Sequence, residues 1–307
     1  MDNPLLSVCI PTFNRAQYLS ACLDSILVQC KNIKVRDAIE IVISDNNSPD
    51  NTRSAVRTYQ KKFPHVSIRY VRNKTNIGTK NTMTVATYAK GTYIWFFSDD
   101  DLQKRFALQT VLNVLKKNRP DLIMVNLDMC SLDSKKLVDP NLFRINKDYY
   151  FLSKKRLFSF LEGRFFLPID WFLTSYSNMI IKKSIFDENN RRINAVYNKK
   201  HHVFPHAALI YYTPQDYSTY VLAKSIALYR TGNRSFGPKK EIEFLEYWYP
   251  VLKMHYDTIC SMNRKYISYR FRCLMVLKTL VREIRIVLLH VFKYDISFLL
   301  MRLFYRR

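Results

Sequence analysis

Thr92-Tyr93-Ile94-Trp95-Phe96-Phe97-Ser98-Asp99-Asp100-Asp101 is an apolar run that stops on three consecutive carboxylates. A short run of aromatic and β-branched residues without polar alternation marks a strand buried on both faces, as in the middle of a parallel sheet. The same pattern recurs upstream. Residues 5–11 (Leu-Leu-Ser-Val-Cys-Ile-Pro) lead into a polar loop at 12–15, and residues 39–44 (Ile-Glu-Ile-Val-Ile-Ser) lead into Asp45-Asn46-Asn47-Ser48-Pro49-Asp50. That second cluster consists of turn formers that also suit a helix N-cap. Between the two strands Tyr18, Leu19, Cys22, Leu23, Ile26 and Leu27 recur at helical spacing. A third strand is expected over 66–72, a turn at Asn76-Ile77-Gly78, a helix over 82–90 and a further strand over 121–128. Alternating strands and helices predict an α/β fold, a mostly parallel sheet flanked by helices, which binds ligands at the carboxyl ends of its strands. The three polar clusters all follow strands directly, so they should converge on one edge.

The whole chain has 307 residues, 48% of them hydrophobic, with only 5 Gly and 11 Pro, which excludes disordered and collagen-like classes. Its six cysteines show neither a CxxC pair nor zinc spacing, arguing against a disulfide framework or structural zinc and for a reducing compartment. The first residues lack the basic and apolar regions of a secretion signal, so no signal peptide is expected. Net charge is +24, and residues 264–307 are the densest basic block, with 11 Lys and Arg against 2 Asp and Glu. Anionic lipid, phosphorylated ligands and nucleic acid are the partners such charge suits.

Three adjacent carboxylates in a partly desolvated loop repel one another unless a cation offsets them. Oxygen ligands of this kind suit Mg²⁺ or Mn²⁺, which also share a substrate's phosphate oxygens; an acidic solvated turn is the alternative. Asp45 has the acceptors for a nucleobase or ribose, or for an Asx turn, and Arg15 has the charge for phosphate.

Together Ser7-Val8-Cys9-Ile10-Pro11-Thr12-Phe13-Asn14-Arg15, Ile41-Val42-Ile43-Ser44-Asp45-Asn46-Asn47-Ser48, Asn76-Ile77-Gly78 and Phe96-Phe97-Ser98-Asp99-Asp100-Asp101 resemble family 2 glycosyltransferases of the GT-A fold, in the family's order and spacing. The resemblance is strong over 5–130 and fades by 235. Within the family the SDDD ending is similar to transferases that build bacterial surface polysaccharides such as O-antigen or capsule, including the abequosyltransferase type. It implies a metal-dependent, inverting transfer of a sugar, hexosyl or deoxyhexosyl, from a nucleotide diphosphate sugar to a lipid-linked glycan acceptor. Pro11, Thr12, Asn14, Arg15, Asp45, Asn76 and Asp99 would then border the donor. Asp99 and Asp101 would form the Asp-x-Asp metal pair; with Ser98 in the first position of that motif, Asp100 becomes the principal ligand, so all three are metal candidates.

The family's usual Glu-Asp general base is absent. His206, His202 and Asp170 are the candidates in its place, followed by Asp187. The implied organisation is a glycosyltransferase domain over 1–235, with a nucleotide-sugar half (1–130) and an acceptor half (131–235), and a helical tail over 236–307. Strands are expected near 178–181 and a helix near 207–212. In the tail, Leu274, Leu277, Val281, Ile284, Leu288 and Val291 form one face while Lys278, Arg282 and Arg285 form another. This basic amphipathic helix lacks the ~20 apolar residues of a membrane span and suits the surface of an anionic bilayer, here the cytoplasmic face of a bacterial inner membrane, where the protein would be peripheral. Packing on the catalytic domain or pairing in an oligomer is the alternative. A catalytically degenerate membrane scaffold and a nucleic-acid-binding protein are the competing functions; no nucleic-acid motif is present.

Overall fold

The sheet begins as the strand-ending pattern demands. The computed structural model describes residues 3–162, 175–197, 206, 209–210 and 213–231. β1 (Leu6–Thr12), β2 (Ile39–Asp45) and β4 (Tyr93–Phe96) are almost wholly buried, whereas β3 (Ile68–Arg72) lies at the sheet's edge and is half exposed. β1 pairs in parallel with β2 and with β4, and β2 with β3. Between them α1 (Ala16–Leu27) buries Leu19, Cys22, Leu23, Ile26 and Leu27, the stripe its spacing predicts. α2 (Ile33–Arg36) is a single turn, and α3 (Thr52–Lys62) packs beside α1. α4 (Lys80–Thr87) lies on β1 and β2.

The chain then departs from a purely parallel arrangement. After the short β5 (Leu102–Gln103), α5 (Ala107–Asn118) ends on Arg119 in the left-handed region (φ 46°) ahead of Pro120, a helix stop. β6 (Leu122–Cys130) follows, with β7 (Leu137–Asp139), β8 (Tyr149–Phe151) and α6 (Lys154–Glu162) beyond it. β9 (Met179–Lys182) inserts antiparallel between β4 and β6, α7 (Lys183–Tyr197) follows it, and β10 (Thr219–Arg230) runs parallel to β6. The order is β3-β2-β1-β4-β9-β6-β10-β5, with β7 on β6 and β8 on β10. The strand expected near 178–181 is therefore present as β9, but β10 and α7 carry no comparable sequence signal. In the segment expected to be helical near 207–212, the described residues 209–210 are helical.

Because β9 runs against β4, the residues just before β9 land beyond the carboxyl end of β4. β5 then folds back to pair with the last third of β10. These two detours bring Ser177 and Arg230 to the edge where the three polar clusters meet. No described helix is long and apolar enough to cross a membrane; the basic tail over 236–307 lies outside the described residues.

Candidate functional site

The three strand-end loops are joined by side chains. Thr12, the last residue of β1, donates its hydroxyl to Asp99 Oδ2 at 2.7 Å. Arg15 Nη1 donates to Asp99 Oδ1 at 2.9 Å and to Asp100 Oδ2 at 2.8 Å. The first loop is held in turn by the second: the Asn14 N–H donates to Ser48 Oγ and the Ala16 N–H to Asp50 Oδ2. Asp50 thus satisfies an orphan donor in the first turn of α1, while its other oxygen accepts from the N–H and hydroxyl of Thr52 at the start of α3. Asn14 (φ 53°) and Asn47 (φ 66°) take the left-handed conformation that asparagine tolerates better than most residues. The expected convergence of three segments on one sheet edge is present.

Within the carboxylate run the side chains divide. Asp99 and Asp100 face one cation, the Arg15 guanidinium. Asp101 turns the other way: Ser177 Oγ donates to its Oδ2 at 2.5 Å and the Arg230 N–H to its Oδ1 at 3.2 Å. Ser177 Oγ also accepts from the Ser98 N–H at 3.0 Å, and the Ser98 hydroxyl donates to Asp100. Arg230 holds the loop a second time through Nε to the Asp100 carbonyl, while its guanidinium lies over the Tyr18 ring. Burial lifts the Asp99 carboxyl to a pKa of about 6, opposed by the Arg15 charge and assisted by Asp100. Burial also raises Asp101 well above the usual carboxylate range, with the Asp100 charge adding to it and Ser177 opposing.

Hard oxygen donors already sharing a cation fit Mg²⁺ or Mn²⁺, which need only one or two carboxylates beside substrate phosphates. Asp99 and Asp100 meet that description. Asp101 does not join them in this arrangement, and among the described residues no three His, Cys, Asp or Glu side chains converge on one cation position.

The nucleotide-side candidates are built differently from their sequence reading. Asp45 is fully buried; its Oδ1 accepts from the Ser48 N–H at 2.8 Å and its Oδ2 from the Tyr70 hydroxyl at 2.5 Å, with Arg72 Nε 3.8 Å away. What this edge offers outward is Tyr70 and Arg72, partly exposed and held by Asp45. Ser44, its neighbour on β2, points to the opposite face and bonds Asn81 of α4. Asn76 accepts from Asn46 Nδ2 and from the Gly78 N–H, so it shapes the turn in which Gly78 has φ +60°. Pro11 lies in β1 opposite Ser44.

Of the base candidates, His206 is fully buried and stacks on Tyr176 at 4.1 Å between ring centroids, with Phe96 at 6.0 Å. Tyr176, whose hydroxyl lies 2.7 Å from Thr82 Oγ1 of α4, precedes Ser177 in the chain. Asp187 is ion-paired with Lys183 on the surface of α7. His202 and Asp170 lie outside the described residues. Ser177, Arg230, Tyr70 and Arg72 escaped sequence reasoning; only Tyr70 and Arg72, two apart on a recognised strand, carried a usable signal.

A model of glycosyl transferase family 2 matches residues 7–189, more than half of the chain. The chain is 28% identical over 252 residues to an abequosyltransferase, RfbV, of Salmonella typhimurium, covering 79% of this chain and 73% of that protein. In fold it is similar to S. aureus TarS 1-349 in complex with UDP-GlcNAc, with a TM-score of 0.61 at 16% identity over 95% of this chain and 74% of that one. It is likewise similar to a mannosyltransferase from Pyrobaculum calidifontis in complex with GDP-Man and Mn²⁺, with a TM-score of 0.55 at 15% identity over 91% and 70% of the two chains.

Proposed function

The chain belongs to glycosyl transferase family 2 and is a glycosyltransferase, and from that premise we propose that it moves a sugar from a nucleotide diphosphate sugar, with a divalent metal and inversion, to a lipid-linked glycan in bacterial surface polysaccharide synthesis. The observation that carries this reading is the Asp99 carboxylate, which collects Thr12, Arg15 and the neighbouring charge of Asp100 at the edge where a diphosphate would lie. The abequosyltransferase named above supports the polysaccharide setting. The solved relatives hold UDP-GlcNAc in one case and GDP-Man with Mn²⁺ in the other, which supports a nucleotide-sugar donor and a metal.

Asp99 and Asp100 would hold Mg²⁺ or Mn²⁺, which when bound offsets the charge of the leaving diphosphate. Thr12 orients the Asp99 carboxylate, Arg15 holds it beside Asp100 before metal enters, and Ser177 with Arg230 fixes the loop so that donor atoms do not drift at the moment of transfer. Tyr70 and Arg72, held by Asp45, border the nucleotide. Inversion requires a base within hydrogen-bond reach of the acceptor hydroxyl, and His206 would meet that requirement only by exposing a ring now packed on Tyr176. The lipid-linked acceptor and the bilayer surface rest on the basic amphipathic periodicity of the tail.

Calorimetric titration of UDP, CDP, GDP and dTDP, each with and without Mn²⁺, against the wild type and Asp100→Asn tests the donor site. Metal-dependent binding of one nucleotide, lost in the variant, is expected. Folded wild type that binds none of the four would remove the donor reading and leave a scaffold of the same fold.

A further inference from the structure

Arg15 is the cation that the carboxylate run already contains. One of its nitrogens, Nη1, spans Asp99 Oδ1 and Asp100 Oδ2, an oxygen from each of the two carboxylates proposed above to hold the metal. Its Nη2 is buried and has no hydrogen-bond partner among the described residues. A guanidinium presents its donors as a rigid fork that matches two phosphate oxygens at once, so half of this fork is committed to carboxylate and half to nothing. The backbone beneath it is pinned on both sides, through the Asn14 N–H to Ser48 and the Ala16 N–H to Asp50, which confines any movement to the side chain.

We propose that Arg15 is a displaceable stand-in for the divalent cation: it holds Asp99 and Asp100 together until metal enters with the donor, and the released fork then binds the donor's diphosphate. The inference rests on the metal-dependent donor reading above. A divalent ion sits about 2.0–2.1 Å from its oxygens in the case of Mg²⁺, which leaves no room for a guanidinium on the same lone pairs, and like charge drives the two apart. Displacement costs little once an anion waits for the displaced group, because charge-assisted bidentate pairing with phosphate replaces pairing with carboxylate. Metal alone therefore competes with Arg15, whereas metal accompanied by diphosphate cooperates with it. Such coupling acts equally on both ligands, so the enzyme loads metal and donor together in preference to metal by itself.

The test measures binding, not turnover, on the full chain. Free Mn²⁺ is followed by its paramagnetic resonance signal during titration of wild type, Arg15→Gln and Arg15→Lys, first with MnCl₂ alone and then with inorganic pyrophosphate as the diphosphate probe. Circular dichroism confirms that each variant is folded. Arg15→Gln should tighten Mn²⁺ alone by about tenfold, within the usual range of couplings between sites, and should weaken pyrophosphate binding at saturating Mn²⁺ by a similar factor. Arg15→Lys, which keeps the charge but not the fork, should move both in the same directions and less far. The opposite signs are the signature, since a purely structural role would weaken both. Tightening absent or reversed for Mn²⁺ alone, in variants that still bind Mn²⁺ with pyrophosphate, would overturn the displacement while leaving the metal reading intact. No Mn²⁺ binding by wild type in either titration would overturn the metal reading, and this inference with it.

Discussion

Replacing Ser177 by Ala removes one hydroxyl that serves two partners, and its cost can be worked from the contacts. Asp101 loses the donor to its Oδ2, and the Ser98 N–H loses its acceptor. A hydrogen bond to a charged group contributes about 1.5–3 kcal/mol and a neutral one about 1, so the variant should lose roughly 2–4 kcal/mol where Asp101 is ionised, or roughly 3–6 °C in Tm at about 2 cal/mol/K of unfolding entropy per residue over 307 residues. The pH dependence carries more information. The folded-state pKa of Asp101 lies above its unfolded value because the side chain is buried. The folded state therefore holds the proton longer than the unfolded state, and stability falls as pH rises through that interval. Without Ser177 the ionised form loses more than the protonated form, so the fall steepens. The gap between wild type and Ser177→Ala should widen as pH rises from the ordinary carboxylate range through the raised folded-state pKa of Asp101, and narrow as it drops. Urea unfolding at several pH values measures this, with Trp95 as reporter: its indole N–H donates to the Ser177 carbonyl, a contact the substitution leaves in place. Ser177→Thr, which keeps the hydroxyl, should recover part of the loss. A gap independent of pH, or a loss under about 0.5 kcal/mol, would refute the assignment of Ser177 as the donor that makes a buried Asp101 charge tolerable.

Gly91→Ala would place a Cβ 2.6 Å from Ser7 Oγ and 2.7 Å from the Ser7 backbone nitrogen; overpacking of that kind should cost about 1–3 kcal/mol in urea unfolding. Because Ser7 pairs with Ile94 near the start of β4, far from its carboxyl end, Mn²⁺-dependent nucleotide binding by the folded fraction should be unchanged. Tyr70→Phe strips the donor from Asp45 Oδ2 and should destabilise by about 1.5–3 kcal/mol, while weakening nucleotide affinity if Tyr70 borders the base; calorimetry and unfolding together separate the two effects. Lys154, 1% exposed, donates to the Thr213 carbonyl and lies 4.8 Å from the Tyr217 ring centroid, and burial pushes its pKa down to about 8 against the pull of Asp216. Its folded-state pKa lies below its unfolded value, so between pH 8 and about 10.4 the unfolded chain binds more protons and stability should rise with pH. Lys154→Met should flatten that rise, as read from Tm measured across the interval.

What was legible in the sequence follows a physical divide between local and long-range information. A short apolar run closing on turn formers states both that a strand is buried and where it ends, so the edge occupied by Thr12, Asp45 and Asp99 could be read without any knowledge of pairing. The helix stripe from Leu19 to Leu27 is equally local. Ser177 and Arg230 were not legible because nothing about their own neighbours marks them. Ser177 reaches the site only because β9 enters the sheet against the direction of β4, and Arg230 only because β10 runs beside β6 until its last residue meets Asp100 and Asp101. Asp45 illustrates the converse: a carboxylate at a strand end offered either a base or ribose contact or an Asx turn, and only the folded chain shows that its oxygens accept from the Ser48 N–H and the Tyr70 hydroxyl.

The same divide explains why the three consecutive aspartates do not all face one cation in the folded chain. Charge repulsion, visible in the sequence, requires that they be offset, but it does not require a single counter-ion. In the folded chain the run is split by its two flanks: Arg15 on the β1 side collects Asp99 and Asp100, while Ser177 and the Arg230 backbone on the other side draw Asp101 away. Asp101 thereby has donors of its own against the burial and the Asp100 charge that disfavour its ionised form, and it becomes an anchor for the loop that presents the remaining pair. On this division Asp100→Asn and Asp101→Asn should fail differently: the first by losing metal affinity with little change in Tm, the second by moving Tm, upward where burial of the charge dominates or downward where its bonds to Ser177 and Arg230 do. Parallel Mn²⁺ titrations and melting curves of the two variants decide this. Equal loss of metal affinity with an unchanged Tm in both would return Asp101 to the metal site and dissolve the distinction between ligand and anchor.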